Sequence, residues 1–503
     1  RPVGGEGLMK VAEYVKEKAE EYGLEDVTLI RQAHDRIPWN ARYGEIWITS
    51  PDIRLLASTN QVLLHLADNS RTTHLEDTEI VYVGAGTADE DYAGIDVKGK
   101  IVLASGGNRS VMVEAVWKRS AAGIISFPDP SIGDYPVNAL SRPDQIHWSS
   151  IPVESEDGQP GTFAFMISSR QALELKNLIA AGKPVLASVD IESEFGRPEE
   201  GWQVMVEGWI RGTSIDNQDI VLTAHMQEEK FSANDDASGC ANLLEIGRAL
   251  GKLIREKKIG APQRNIRFWW ATEISSQRQY FADHPGAGER MLVNINQDMV
   301  GANQAQDVMR VQNMTLVPFS RFHFLNDVAE SVLDFVIEGN RSNLAVLQAG
   351  NGDLYPRAIL SRLGTRHRYN AAAIPFHNNS DHMTFNEAPI GVPGISFTNW
   401  PDNYIHSSDD DLWNVDPTQL QRNAFAVAMM SYVIAKPADP TELAALVSGR
   451  GLERIGYDYR LALEWIAGDR SDYFKAVHQV RQAAARERLA LTSLRRIDQS
   501  GRF

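Results

Sequence analysis

Residues 220–250 read IVLTAHMQEEKFSANDDASGCANLLEIGRAL, and the order of textures in this stretch decides the fold. Ile220 to Ala224 is a short apolar run broken only by Thr223, as expected of a strand covered on both faces, and it runs straight into His225. A polar loop follows, ending in Ala233-Asn234-Asp235-Asp236-Ala237-Ser238-Gly239. Beyond it Gly239 to Leu253 is predicted to be a helix.

Outward from this unit the same alternation recurs. Apolar strands are expected at Ile266 to Ala271, Met291 to Ile295 and Ile395 to Thr398, with a helix at Gln419 to Ile434. Strands alternating with helices predict an α/β fold with a mixed, mostly parallel central sheet flanked by helices. Sites in such sheets form beyond the carboxyl ends of the strands. Upstream, Gly7 to Gly23 has the spacing of an amphipathic helix. From about Thr78 the chain changes to short strands punctuated by Gly: Glu79 to Val83, Ile101 to Ala104 and Gly123 to Phe127, with helical character over Val111 to Ala122. The predicted organisation is therefore an N-terminal part of the main domain (1–77), an inserted αβ domain (78–195), the main domain proper (196–440) and a C-terminal helical extension (441–503) after the break at Pro437 and Pro440. The basic run of that extension reads as a solvated helix face.

Length and composition exclude several classes. With 503 residues, 43% hydrophobic and 23% charged, the chain is too long for one small module and too apolar for disorder. A formal charge of −16 repels phosphate backbones and anionic lipid, so neither nucleic acid nor a membrane is an expected partner. Cys240 is the single cysteine, which leaves any metal to His and carboxylate and places the thiol in the core of its helix. No apolar run approaches a membrane span. Gly84-Ala85-Gly86 lacks the rest of a dinucleotide fingerprint and reads as a turn.

The titratable residues fall at strand ends: His225 ends one apolar run, Asp298 follows Met291 to Gln297, Glu273 follows Ile266 to Thr272, and His406 comes soon after the Ile395 strand. Each alone has an ordinary structural reading as a cap or a satisfied polar group. Converging on one crevice, they would form a costly negative cluster unless a cation neutralised it, and imidazole plus carboxylate without thiolate suits zinc.

Five blocks carry a resemblance: TAHMQEEKFSANDDASGCANLLEIGRAL (223–250), NIRFWWATEI (265–274), NINQDMVG (294–301), NSDHMTFNEAPIGVPGI (379–395) and YIHSSDDDLWNVDP (404–417). In this order they resemble the M28 family of zinc peptidases, over about residues 201–435. Residues 79–190, with Asp96 to Leu103 and Arg119 to Ile125, look like a protease-associated domain. The resemblance implies that His225 and Asp298 ligate one zinc and His406 a second, with Asp235 bridging the two and joined to Asp236 by a cis peptide. It implies that Asp381 and His382 line the substrate pocket, and Trp400, close to His406 in the sequence, is expected to line it too. His377 and His382 are expected as pocket groups or groups that support the ligands.

Two departures matter. The family usually has two adjacent glutamates after the third strand, one a general base and the next a ligand; here Thr272-Glu273-Ile274 offers one acid for both jobs. Glu273 is expected to be the base, with metal ligation its alternative role and Glu228 or Glu229 the nearest substitute. Gln227 also stands where the family often has an Asp that orients the ligand His. The implied activity is that of a metal-dependent exopeptidase, an aminopeptidase first, acting on small peptides and secreted or periplasmic, with homo-oligomers open. The alternatives are a non-catalytic receptor-like homologue and a glutaminyl cyclase. Residues 303–373 are expected to form a lid over the site or an oligomer contact.

Overall fold

The computed structural model describes residues 4–128, 142–228, 231–306, 310–348, 357–437 and 440–498. Two sheets organise them. The larger has eight strands in the order Glu25–Ala33, Trp202–Ile210, Arg264–Ala271, Ile215–His225, Met291–Gln297, Gly394–Trp400, Val311–Thr315, Ala371–Ile374. Its central four strands are mutually parallel, and antiparallel neighbours flank them on both sides. The predicted mixed, mostly parallel α/β sheet is thus present, and its strands read apolar because Arg264–Ala271 and Met291–Gln297 are buried at every position.

Some of those buried positions are polar, and they pair across strands. Thr223 donates to Asn296 Oδ1 at 2.7 Å, while Asn296 Nδ2 donates to Ser380 and Ser396 at 2.8 and 3.1 Å. Such a ladder fixes register, because a shift would leave buried amides without partners. The chain passes from Ile215–His225 to the strand on one side, then returns to Met291–Gln297 on the other. His225 therefore sits at a topological switch point, where the loops diverge and leave a crevice.

Helices Glu6–Glu21, Ala237–Arg255 and Pro417–Ala435 bury Leu8, Val15, Leu243, Leu250, Val427 and Met430 in the core of this sheet. Residues 303–373 depart from expectation. Val311–Thr315 pairs with Gly394–Trp400, and helix Phe324–Gln348 buries Phe324, Val328, Leu333 and Val336 in the same core. The described part of this segment is a structural wall, not a lid, because its apolar stripe has to be covered; 307–309 and 349–356 lie outside the described residues.

The C-terminal extension forms helices Thr441–Gly468 and Tyr473–Ser493, and its basic residues are not simply solvated. Arg454 pairs with Glu330 and Glu487 at 2.8 Å and also with Asp327, and Arg486 pairs with Asp458 at 2.8 Å. Arg264, fully buried at the start of a central strand, donates to the carbonyls of Pro437 and Ile497 and so staples the extension to the sheet.

The second sheet has seven strands, Arg54–Ser58, Trp39–Ser50, Leu186–Phe195, Thr73–Tyr82, Ile101–Ala104, Gly123–Ser126 and Ala164–Met166. It begins at Trp39, so the strands within residues 39–77, upstream of the boundary expected at 78, pair in this sheet and not in the main one. Trp39–Ser50 alternates buried and exposed positions, as an antiparallel strand with one wet face does. The helix expected over Val111 to Ala122 runs as Asn108–Val111 and then a wider, π-helical stretch, Met112–Trp117. Gly84 and Gly86 both take φ of +70°, as a turn requires. Among the described residues no helix is long and apolar enough to cross a membrane.

Candidate metal centre and active site

His225 is the last residue of its strand, Asp298 follows Met291–Gln297 directly, and Glu273 lies two residues past Arg264–Ala271, so three adjacent parallel strands deliver three donors to one edge. The loop before helix Ala237–Arg255 supplies Asp235. Its backbone is held from outside: the N–H groups of Asn234 and Asp235 donate to the two carboxylate oxygens of Asp410 at 2.8 and 2.9 Å. The Asn234 side chain donates to Asp402, which also pairs with the fully buried Arg310. The Asp235–Asp236 peptide is cis.

Asp236 has a different task from its neighbour. Its carboxylate accepts from the N–H groups of His225, Gly239 and Met299 at 3.0–3.1 Å, capping the helix and tying two strand ends together. With its oxygens so engaged it is an anchor, although it lies near His225 and Asp298.

Asp235 stands between the two histidines. His225 Nε2 is 3.5 Å from Asp235 Oδ1 and 3.6 Å from Asp298 Oδ1; on the other side His406 Nε2 is 3.2 Å from Asp235 Oδ2. The expected ligands His225, Asp235, Asp298 and His406 are therefore brought together. Charge-assisted hydrogen bonds would close to about 2.7–2.9 Å, whereas a tetrahedral ion with bonds near 2.0–2.1 Å keeps its ligands about 3.3 Å apart. The observed separations match the second case. Asp298 Oδ1 is buried and has no hydrogen-bond partner, as a ligand oxygen awaiting a cation does. The donor set fits zinc.

Electrostatics tell the same story. Burial pushes Glu273 up to about 8 against the pull of His225, with Asp298, Asp381 and Asp235 adding to the rise. Burial likewise raises Asp235 and Asp236. Burial opposes charge on His225, but Glu273, Asp236 and Asp298 outweigh it and hold its imidazole well above the usual value. A divalent cation inverts this logic by favouring every ionised carboxylate.

The supporting contacts differ from expectation in several places. His225 Nδ1 faces the backbone carbonyl of Gln227 at 3.3 Å, so a main-chain oxygen stands where an orienting Asp was missed. The Gln227 side chain accepts from the Glu273 N–H at 2.6 Å and donates to Glu228 Oε1 at 3.4 Å, linking the two acids. Asp381 and His382 are fully buried and form no open pocket wall. Asp381 accepts from the N–H of Ile274, whose φ is +57°, and so holds the turn after Glu273; His382 meets the carbonyl of His377. Trp400 ends its strand opposite Val311 and is partly exposed. Cys240 is buried, its thiol directed to the carbonyl of His225. Glu229 lies outside the described residues.

The seven-stranded module contributes what was not foreseen from the sequence. His147 bridges to Ser407, and Trp148 donates its N–H to the carbonyl of His406 at 2.8 Å. Gln145 Nε2 donates to Ser407 Oγ at 2.7 Å and to the Asn403 carbonyl, and the Trp148 ring lies edge-on to His406 at 5.9 Å. This clamp holds a loop whose His406 takes φ of +53°. Nothing in residues 145–148 signals chemistry on its own; the polar run Ser407-Ser408 was the only available hint. A groove of about 520 Å³, walled by Val11, Tyr14, Met226, Phe231, Cys240 and Leu244, also runs up to His225.

Residues 206–431 match the sequence model of peptidase family M28. The chain carries a family M28 peptidase domain. Solved structures similar to the chain include BSAP, a zinc aminopeptidase from Bacillus subtilis (17% identity, TM-score 0.55, covering 87% of this chain and 91% of that one). A peptidase M28 precursor from Shewanella amazonensis is similar at 17% identity and TM-score 0.55, over 87% of this chain and 90% of its own. A putative peptidase from Clostridium acetobutylicum follows at 14% and 0.54, over 86% and 77%. At these identities the likeness is one of fold, and it extends well beyond the M28 segment. A search of curated proteins finds no match.

Proposed function

We propose that this M28 chain is a metal-dependent exopeptidase that removes residues from the amino end of small peptides. The observation that carries the reading is the pair of imidazole–carboxylate spacings on the two sides of Asp235, 3.5 and 3.2 Å, together with the unpartnered Asp298 Oδ1. His225, Asp235 and Asp298 would hold zinc in the buried half, and Asp235 and His406 would reach toward a second ion. Bound zinc supplies a Lewis acid that polarises the scissile carbonyl and acidifies water.

Within that frame the chain's own groups divide the work. Glu273 serves as the general base: it accepts a proton from the attacking water and delivers it to the departing amine. Gln227 and Asp381 fix the backbone on either side of it, at the N–H groups of Glu273 and Ile274. The crowd of carboxylates favours the free ammonium end of a peptide, which supports an aminopeptidase. The groove beside His225, largely apolar, supports an apolar substrate segment. Residues 39–195 are read as a protease-associated insertion that borders the site, and export from the cytoplasm belongs to the same reading.

A receptor-like role that has shed its ligands does not go with a complete set of four convergent donors, and a cyclase of the single-zinc kind leaves one of the two sides of Asp235 without a purpose. Glu273→Gln should lower turnover of amino-acyl anilides by about 10²–10⁴-fold with little change in KM. Wild-type turnover in that variant would remove Glu273 from the chemistry. Indifference of the wild type to a strong chelator would remove the metal.

A further inference from the structure

From the donor geometry we infer that Glu228 completes the second metal position, doing the job that the residue after Glu273 cannot. This rests on the metallopeptidase reading above and adds to it a ligand from a different strand end.

The strand that carries Glu273 offers no second donor. Ile274 has an aliphatic side chain, and its N–H is already taken by Asp381 Oδ1 at 2.8 Å. Without another carboxylate, Asp235 and His406 would hold an ion by two protein bonds. Glu228 fills the gap from the opposite side: its Oε2 lies 3.5 Å from His406 Nε2, which in turn is 3.2 Å from Asp235 Oδ2. The three ligand atoms lie within 4.8 Å of one another, and both measured edges are close to the roughly 3.3 Å edge of a tetrahedral zinc site.

A second role for Glu228, turning the His225 ring, is less well served by the geometry. Glu228 Oε1 is 3.7 Å from His225 Nδ1, whereas the Gln227 carbonyl is nearer at 3.3 Å. Gln227 Nε2 engages that same Oε1, so Oε2 is the oxygen presented to His406. Glu228 is also well sheltered, with 11% of its side chain exposed, as a positioned ligand should be. Glu273 groups instead with His225 and Glu228 and is not in the group that contains His406, so it does not supply the missing ligand of the second position.

The test is zinc stoichiometry and affinity by calorimetry and elemental analysis on chelator-stripped, refilled protein. Wild type should take two ions. Glu228→Gln, nearly isosteric, should keep the first and weaken the second by about 100-fold, with Glu228→Asp recovering part of it; Glu273→Gln and Glu229→Gln should keep both. Circular dichroism of each variant confirms folding. Two ions at wild-type affinity in Glu228→Gln would overturn the assignment, as would loss of the second ion in Glu273→Gln or Glu229→Gln. A wild type that binds a single ion overturns it while sparing the peptidase reading, and one that binds none sinks both.

Discussion

The two sides of Asp235 are built in different ways. On one side His225 and Asp298 grow directly out of adjacent parallel strands, and the His225 side chain is 1% exposed. On the other, His406 sits in a loop six residues past its strand, its side chain is 44% exposed, and it is held by hydrogen bonds from the second module. A sheet fixes its strand ends through many shared contacts, whereas a loop is only as fixed as the few bonds that pin it. The buried half should therefore bind tightly and tolerate little, and the open half should bind more weakly and respond to distant changes.

The largest expected effect tests the buried half. Asp298→Asn keeps the shape but removes the charge of an oxygen that makes no hydrogen bond, and should lower turnover by at least about 10³-fold while emptying the first site. If turnover and zinc content both survive, the contrast fails at its stronger end. Next comes a control outside both halves. Arg264→Met takes the donor from the buried carbonyl of Ile497 and the half-buried one of Pro437 and should cost about 3 kcal/mol in denaturant unfolding. The ratio of the two zinc affinities should stay unchanged. A shift in that ratio would mean that the extension, too, steers the site.

Acid provides a third probe, run on stripped protein so that ligand protonation does not release metal. His323 is buried at the entry to helix Phe324–Gln348. Burial pushes it down to about 3, helped by Arg496 and Arg321. A depressed histidine is neutral in both states above pH 6.5; below that the unfolded chain takes a proton that the folded chain refuses. Stability should therefore fall as pH drops from 6.5 toward 3. By pH 4 the loss from this group is on the order of 3 kcal/mol. His323→Gln should flatten that limb, and an unchanged slope would show that His323 is charged in the fold.

The same contrast explains what could be read from the sequence. His225, Glu273 and Asp298 were legible because an apolar run ending in a titratable residue marks a buried strand and its carboxyl end together. The role of Glu228 was not, because which way a loop turns after His225 depends on Gln227 reaching the Glu273 backbone, a contact between residues 46 apart. The strands before residue 78 that join the second sheet were missed for a similar reason. Trp39–Ser50 buries one face only, and its alternating pattern lacks the continuous apolar signal by which the other strands were found. For residues 303–373 surplus length suggested a lid or an oligomer contact, while the stripe from Phe324 to Val336 lies in the core.

The smallest expected effect is the one that most sharpens the comparison. Gln145 spans the two sheets: its amide donates to Ser407 Oγ and to the Asn403 carbonyl, bracketing His406 without touching it. Gln145→Ala removes both bonds and leaves His406, Asp235 and Glu228 in place. Freed to sample other backbone angles, a loop that must hold φ near +53° spends less time in the ligating geometry, and the second zinc should bind about 10-fold more weakly. The first zinc should bind as before, since no strand end has moved. Equal weakening of both ions would show that the module acts on the whole site. No weakening would show that Trp148 and His147 suffice, and Trp148→Ala, which strips the ring from beside His406 while its backbone bond remains, would then separate the edge-on ring contact from the backbone bridge.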